Sequence, residues 1–145
     1  MSIFIPNSKL GKVRNEFAME LQAKYGKNAK EIHDTLDKIG ISFGRPSYKY
    51  FMHMLSPLEK GAVLTDEQLE ELYTSMMEKF GVTYKQVYGS IKCAFIIAWN
   101  RGDVFVLEKM FGRETFRHKE PPSNLRFINS MLKYINELRD DVVVY

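Results

Sequence analysis

With a single cysteine, Cys93, the chain has no intrachain disulfide, no cysteine-based zinc site and none of the disulfide framework of a small secreted domain, so a reducing cytoplasm is the expected compartment. No unbroken apolar run approaches the roughly 20 residues of a membrane span. The opening Met1-Ser2-Ile3-Phe4-Ile5-Pro6 also lacks the basic start and apolar core of a secretory signal, so no membrane partner is expected. Glycine-rich phosphate loops and serine elbows are absent, and His33, His53 and His118 stand apart without the paired helical spacing of a metal site. The acid pairs Asp66-Glu67, Glu70-Glu71 and Asp140-Asp141 have no apolar setting to split their pKa values and read as surface or helix-end charge. No catalytic residue, metal or cofactor is expected, and the enzyme classes fall away. Strand signals are confined to Ile3-Phe4-Ile5 and Val142-Val143-Val144-Tyr145.

Helix is what remains. Thr65 is followed three residues later by Gln68, and Thr83 by Gln86, which is the spacing of a capping box at each of two helix starts. Leu69, Leu72, Tyr73, Met76 and Phe80 then recur at three- and four-residue steps, as do Val87, Ile91, Ala94, Phe95, Ala98 and Trp99. Only Phe80-Gly81-Val82 separates the two stripes, so they must bury each other, in the layout of a helix-turn-helix. The same reading places helices at Ser8 to Tyr25, Ala29 to Ile39, Ser47 to Leu55, Thr65 to Phe80, Thr83 to Asn100, Val104 to Phe111 and Ser123 to Leu138. The expected fold is all-α: a compact bundle of about six to seven helices. Met52, Met76, Met110 and Met131 fall beside leucines and phenylalanines as core fillers, and Trp99 is the expected core anchor.

Charge divides the two central helices. Residues 65 to 80 carry Asp66, Glu67, Glu70, Glu71 and Glu78 against Lys79, whereas residues 81 to 101 carry Lys85, Lys92 and Arg101 and no acid. The outer face of the second helix holds Lys85, Tyr88, Gly89 and Lys92 near its start, where a recognition helix enters the major groove. By pattern alone these lysines read equally as a DNA-facing surface or as a solvated helix face. The net charge of +3 permits nucleic-acid binding without demanding it. Residues 41 to 80 sum to −2, which leaves +5 for the rest and allows a one-sided basic face.

The block Ala94-Phe95-Ile96-Ile97-Ala98-Trp99-Asn100-Arg101-Gly102-Asp103 resembles the signature of the C-terminal effector domains of the sporulation master response regulators, the stage 0 sporulation protein A family of spore-forming Firmicutes. Three more segments follow the family order: Asp37-Lys38-Ile39-Gly40-Ile41, Leu107-Glu108-Lys109-Met110-Phe111-Gly112, and Pro122-Ser123-Asn124-Leu125-Arg126-Phe127-Ile128. The resemblance runs from about Leu36 to Leu138. It implies a bundle of about six helices whose third and fourth form the helix-turn-helix, binding to double-stranded DNA, and tandem or dimeric copies on repeated sites.

The resemblance also implies where DNA is read. Family members use an acid and an arginine side by side in the recognition helix, and Tyr88 and Gly89 occupy those places here. Tyrosine offers one hydroxyl and a ring, glycine only closeness, so neither repeats the hydrogen bonds of the pair they replace and the family's usual target sequence is not expected. Lys85 and Gln86 stand where the family has serine and arginine, and Lys92 keeps a basic charge where it has arginine. The expected base-facing set is therefore Lys85, Gln86, Tyr88, Gly89 and Lys92. Glycine inside a helix costs about 1 kcal/mol relative to alanine, which close approach of the helix backbone to DNA or a partner would explain, and so would drift at a site that no longer reads a base. A second basic cluster, Arg113, Arg117, His118 and Lys119, precedes the helix start at Ser123-Asn124. With Thr83, the residues Arg113, Arg117, Lys119, Ser123 and Asn124 form the expected phosphate-contacting set.

Family regulators carry a phosphate-accepting receiver domain ahead of the effector. Residues 1–35 are too few for a domain of about a hundred residues or more, so this stretch reads as an extension with one helix, and residues 36–145 as the effector-like unit. The stripe Leu10, Val13, Phe17 and Leu21 on the extra helix serves either as added core or as a contact for a second copy or a protein partner. The expected function is sequence-specific DNA binding in transcription control, in the cytoplasm and on the nucleoid. The alternative is a helix-turn-helix scaffold turned to protein–protein interaction or antagonism of another regulator.

Overall fold

Both threonines begin helices as their spacing predicts. In the computed structural model, which describes residues 7–113 and 120–141 (side chains for 16–113 and 120–138), Thr65 Oγ1 accepts the Gln68 backbone N–H at 3.2 Å while Gln68 Oε1 accepts the Thr65 N–H at 2.9 Å. Thr83 and Gln86 repeat the exchange at 3.2 and 2.8 Å. Seven helices are described: α1 (Asn7–Tyr25), α2 (Ala29–Lys38), α3 (Pro46–Leu55), α4 (Asp66–Phe80), α5 (Tyr84–Arg101), α6 (Val104–Phe111) and α7 (Asn124–Asp141). No strand occurs among the described residues, and both strand-like termini lie outside them. None of these helices is long and apolar enough to cross a membrane.

The α4–α5 turn is tight because Gly81 takes the left-handed conformation, at φ +63°, which a residue with a Cβ adopts only at a cost. Val82 N–H then reaches back to the Met77 carbonyl at 3.2 Å and closes the end of α4. Helix α5 is the centre of the bundle: it packs on α3, α4 and α7, while α2 packs on α1, α3 and α7, and α6 on α7. Its inner stripe Val87, Ile91, Ala94, Phe95, Ala98 and Trp99 is buried throughout. Phe95 stacks on Phe127 of α7 at 3.9 Å between ring centroids and meets Phe51 of α3 at 5.0 Å. Trp99 stands edge-on to Phe111 at 5.1 Å, so one aromatic ladder ties α3, α5, α6 and α7 together. Met52, Met76, Met110 and Met131 fill the same core. From α1, Leu21 and Tyr25 join it, whereas Phe17 remains partly exposed; the side chains of Leu10 and Val13 lie outside the described set.

Two of the family-like segments meet in space. Gly102 ends α5 against the end of α2, where a Cβ would lie 2.6 Å from the Ala98 carbonyl oxygen and 2.9 Å from that of Ile39, so only glycine fits. The next residue, Asp103, donates its backbone N–H to the Lys38 carbonyl at 3.2 Å and caps α6, its carboxylate accepting the Phe105 N–H at 2.9 Å. Farther round, the Asn129 amide of α7 clasps Leu64 through both its N–H and its carbonyl, at 2.8 and 2.9 Å, and fixes the approach to α4.

Candidate nucleic-acid interface

Burial of one stripe of α5 leaves Lys85, Gln86, Gly89, Lys92, Cys93, Ile96 and Asn100 exposed along the other. No acidic side chain belongs to this helix. Lys85 is solvent-exposed, and among the described residues it makes no ion pair; those present are Lys27–Glu59 and Lys30–Asp34. Lys92 projects beside Tyr88, its ammonium 5.8 Å from the ring centroid.

Gln86 and Thr83 are both partly committed to the helix start. Gln86 Oε1 accepts the Thr83 N–H at 2.8 Å and also the Thr83 hydroxyl at 3.3 Å. A bidentate contact to adenine needs that oxygen as acceptor together with the amide as donor. With the cap intact, Gln86 has its NH2 group left to offer, and the Thr83 hydroxyl has little spare capacity for phosphate.

Tyr88 does not stand straight out from the helix. It is 37% exposed and stacks on Tyr84 at 5.8 Å and 12° between planes, while both rings meet Tyr73 of α4 edge-on, at 5.8 and 6.2 Å. Tyr84 in turn donates its hydroxyl to Glu70 at 2.9 Å. Burial pushes the Tyr73 hydroxyl up to about 12, partly offset by its hydrogen bond from Asn124 and reinforced by Tyr84, Glu70 and Tyr88, so the phenol stays protonated throughout the physiological range. Gly89, by contrast, has open space where a Cβ would point, so nothing in the fold requires glycine there.

The expected phosphate-contacting set is only partly assembled. Asn124 is 8% exposed, and its side-chain amide turns inward to donate to the Tyr73 hydroxyl at 3.2 Å, satisfying a buried polar group, so an anion at this helix start would meet backbone N–H groups and not the amide. Ser123 is exposed but caps α7, its hydroxyl accepting the Arg126 N–H at 3.2 Å. Arg113 is exposed beyond the end of α6, and Arg117, His118 and Lys119 lie outside the described residues.

A cation that the sequence pattern does not single out stands beside the start of α5. Arg45, at the N-cap of α3, lines an open groove of about 400 Å³ with Ser47 and with Lys85, Gln86, Gly89 and Ser90 of α5. Its only local sign is the Arg45-Pro46 helix start, because its position beside Lys85 follows from how α3 packs on α5. On the opposite flank Tyr88, Lys92 and Ile96 face Glu120, Pro121, Pro122 and Ser123 across a second groove of similar size. Helix α5 is thus a ridge between two clefts, basic at its start and apolar at Ile96, which is 40% exposed. Among the described residues, no group of histidine, cysteine and acidic side chains is placed to hold a metal ion.

An all-helical bundle in which two capped helices, the second without acids, meet on a three-residue turn has the layout of a helix-turn-helix domain. The sequence profile of the family described as "Sporulation initiation factor Spo0A C terminal" matches residues 32–135, and the chain belongs to that family. The match starts within α2 and ends within α7, so α1 lies outside it. No solved structure matches the chain significantly.

Proposed function

We propose that this protein is a sequence-specific DNA-binding regulator of transcription that places the first half of α5 in the major groove. The observation that carries the reading is the exposed, acid-free start of α5, with Lys85, the Gln86 amide and Lys92 on one face and Arg45 beside them. Lysine reaches guanine or phosphate, and the glutamine NH2 donates to a base acceptor. Tyr88, held in its stack, contributes a ring edge and hydroxyl at the groove wall, and Gly89 allows the helix backbone to come close. Arg45, Arg113, Arg117 and Lys119 act on phosphates and set the register. Copies pair or line up on repeated sites, as the family resemblance implies, and the protein works on the nucleoid.

The second reading, a scaffold that binds a protein, is favoured by one feature: Ile96 and Cys93 continue the exposed face of α5 as a weakly polar strip beyond the lysines. Selection from a randomised duplex pool decides between the two, using the wild type and the Lys85→Ala/Lys92→Ala double variant at two salt concentrations. The regulator reading expects an enriched motif that the variant loses, with affinity falling steeply with salt. Weak binding without enrichment, shared by the variant, rejects it in favour of the protein-binding scaffold.

A further inference from the structure

We infer that a band of cations running from the start of α5 along α3 to the ends of α4 and α1 grips a second stretch of DNA phosphate backbone, extending the interface onto a helix outside the family match. The inference rests on the DNA-binding reading above. Its members are Lys85, Arg45, Lys49, Lys79 and Lys24. Arg45 and Lys85 share one groove. Lys49 and His53 stand four residues apart on α3 and share one flank of it, with Arg45 at its N-cap.

At the far end the band is built on rings. Tyr25 of α1 meets His53 of α3 edge-on at 4.9 Å, His53 meets Phe80 of α4 at 5.2 Å, and Phe80 meets Tyr50 at 5.6 Å. The Lys49 ammonium lies over this floor, 4.7 Å from the Phe80 ring centroid and 5.4 Å from that of Tyr50, and Lys24 lies 5.1 Å from Tyr25. Lysine stems laid against rings give up part of their rotamer freedom in folding, so less is lost on meeting a ligand. Lys79 completes the cluster: together with burial, its charge and those of Lys24 and Lys49 push the His53 imidazole below its ordinary value.

None of the five cations makes an ion pair among the described residues. Glu20 and Glu78, the acids nearest to Lys24 and Lys79 in sequence, are exposed and unpaired with them. The acids of α4 instead concentrate toward its opposite end, at Asp66, Glu67, Glu70 and Glu71. A row of cations with no carboxylate to satisfy it, adjoining the start of a recognition helix, suits the phosphates of the strand that borders the occupied groove. The band also gives α1 a task in binding besides its share of the core.

The test uses the full chain and the duplex selected by the wild type, with Lys24→Gln, Lys49→Gln and Lys79→Gln singly and together; glutamine keeps most of each stem. Each loss should flatten the dependence of log affinity on log salt by about 0.9, while repeated selection returns the same base sequence. In parallel, the His53 imidazole pKa, followed by NMR and assigned with His53→Gln, should rise when duplex is added, because phosphates offset the three lysines. An unchanged salt slope in the triple variant, or a His53 pKa that stays put while DNA binds, overturns the band and leaves the DNA reading standing. A wild type that selects no DNA removes both. Binding of an acidic protein that the triple variant loses, without an effect on DNA, assigns the band to that partner instead.

Discussion

Asn124 and Tyr73 meet across 51 residues of sequence, the amide of the first residue of α7 donating to a buried phenol on α4 at 3.2 Å. Through that bond the entry to the last helix holds the ring on which Tyr84 and Tyr88 rest. The side of α5 that carries Tyr88 is therefore positioned in part by a residue at the start of α7.

Replacing Asn124 by alanine strands the Tyr73 hydroxyl in the interior, at a cost of about 1 to 3 kcal/mol. Chemical denaturation should show that loss, and the Asn124→Ala/Tyr73→Phe pair should recover part of it, because both polar partners are then gone. If the double variant is as unstable as the sum of the singles, the two groups are not coupled.

Two glycines, Gly89 inside α5 and Gly102 at its C-cap, should respond with opposite sign. Gly102→Ala drives a Cβ into backbone oxygens and should destabilise by about 1 to 3 kcal/mol or more. Gly89→Ala enters open space on a helix and should stabilise by about 1 kcal/mol. Thermal melts of both variants check the signs. If Gly89→Ala is more stable yet binds its selected duplex more weakly, the glycine serves close approach; unaltered binding means that the position reads nothing.

Trp99 sits between Phe111 and Phe127 in the aromatic ladder. Its truncation to alanine should cost about 3 to 5 kcal/mol through lost contacts and the cavity left behind. Loss of the tryptophan signal rules out that fluorophore as a probe, so far-ultraviolet circular dichroism is the measurement.

His53 makes stability depend on pH. Its folded-state pKa is depressed below the unfolded value of 6.5 by burial first and then by Lys79, Lys24 and Lys49, so the unfolded chain binds the proton more readily. The contribution is fully present above the unfolded value and is lost as pH falls through the folded one. Between about pH 7.5 and about pH 5, His53→Gln should lose less stability than the wild type. Equal losses would mean that another group carries the acid sensitivity.

Helix positions were legible because their signals are local. Capping boxes at Thr65 and Thr83, the left-handed Gly81 and the apolar stripes each act within one or two turns, and observed ends differ from the expected ones by no more than about a turn. The inner face of α5 was legible for the same reason. What escaped the pattern was whatever depends on a partner helix. Asn124 stands at a helix start with the composition of an anion site, and only the packing of α7 on the bundle turns it toward Tyr73. Arg45 looks like an isolated surface charge until α3 lies against α5. Gln86 has both the spacing of a cap and the place expected of a base reader, and the Thr83 N–H already occupies the oxygen that both roles need.

The segment around Trp99 to Asp103 lies at the far end of α5 from Lys85 and Gln86. Its glycine and aspartate join α5 to α2 and α6, a seam where a methyl group is already too much. A change at this joint would therefore be felt by three helices at once, while a change on the outer face of α5 would leave their packing alone. The architecture is thus locked from the inside and leaves the outer face of α5 open to chemical change.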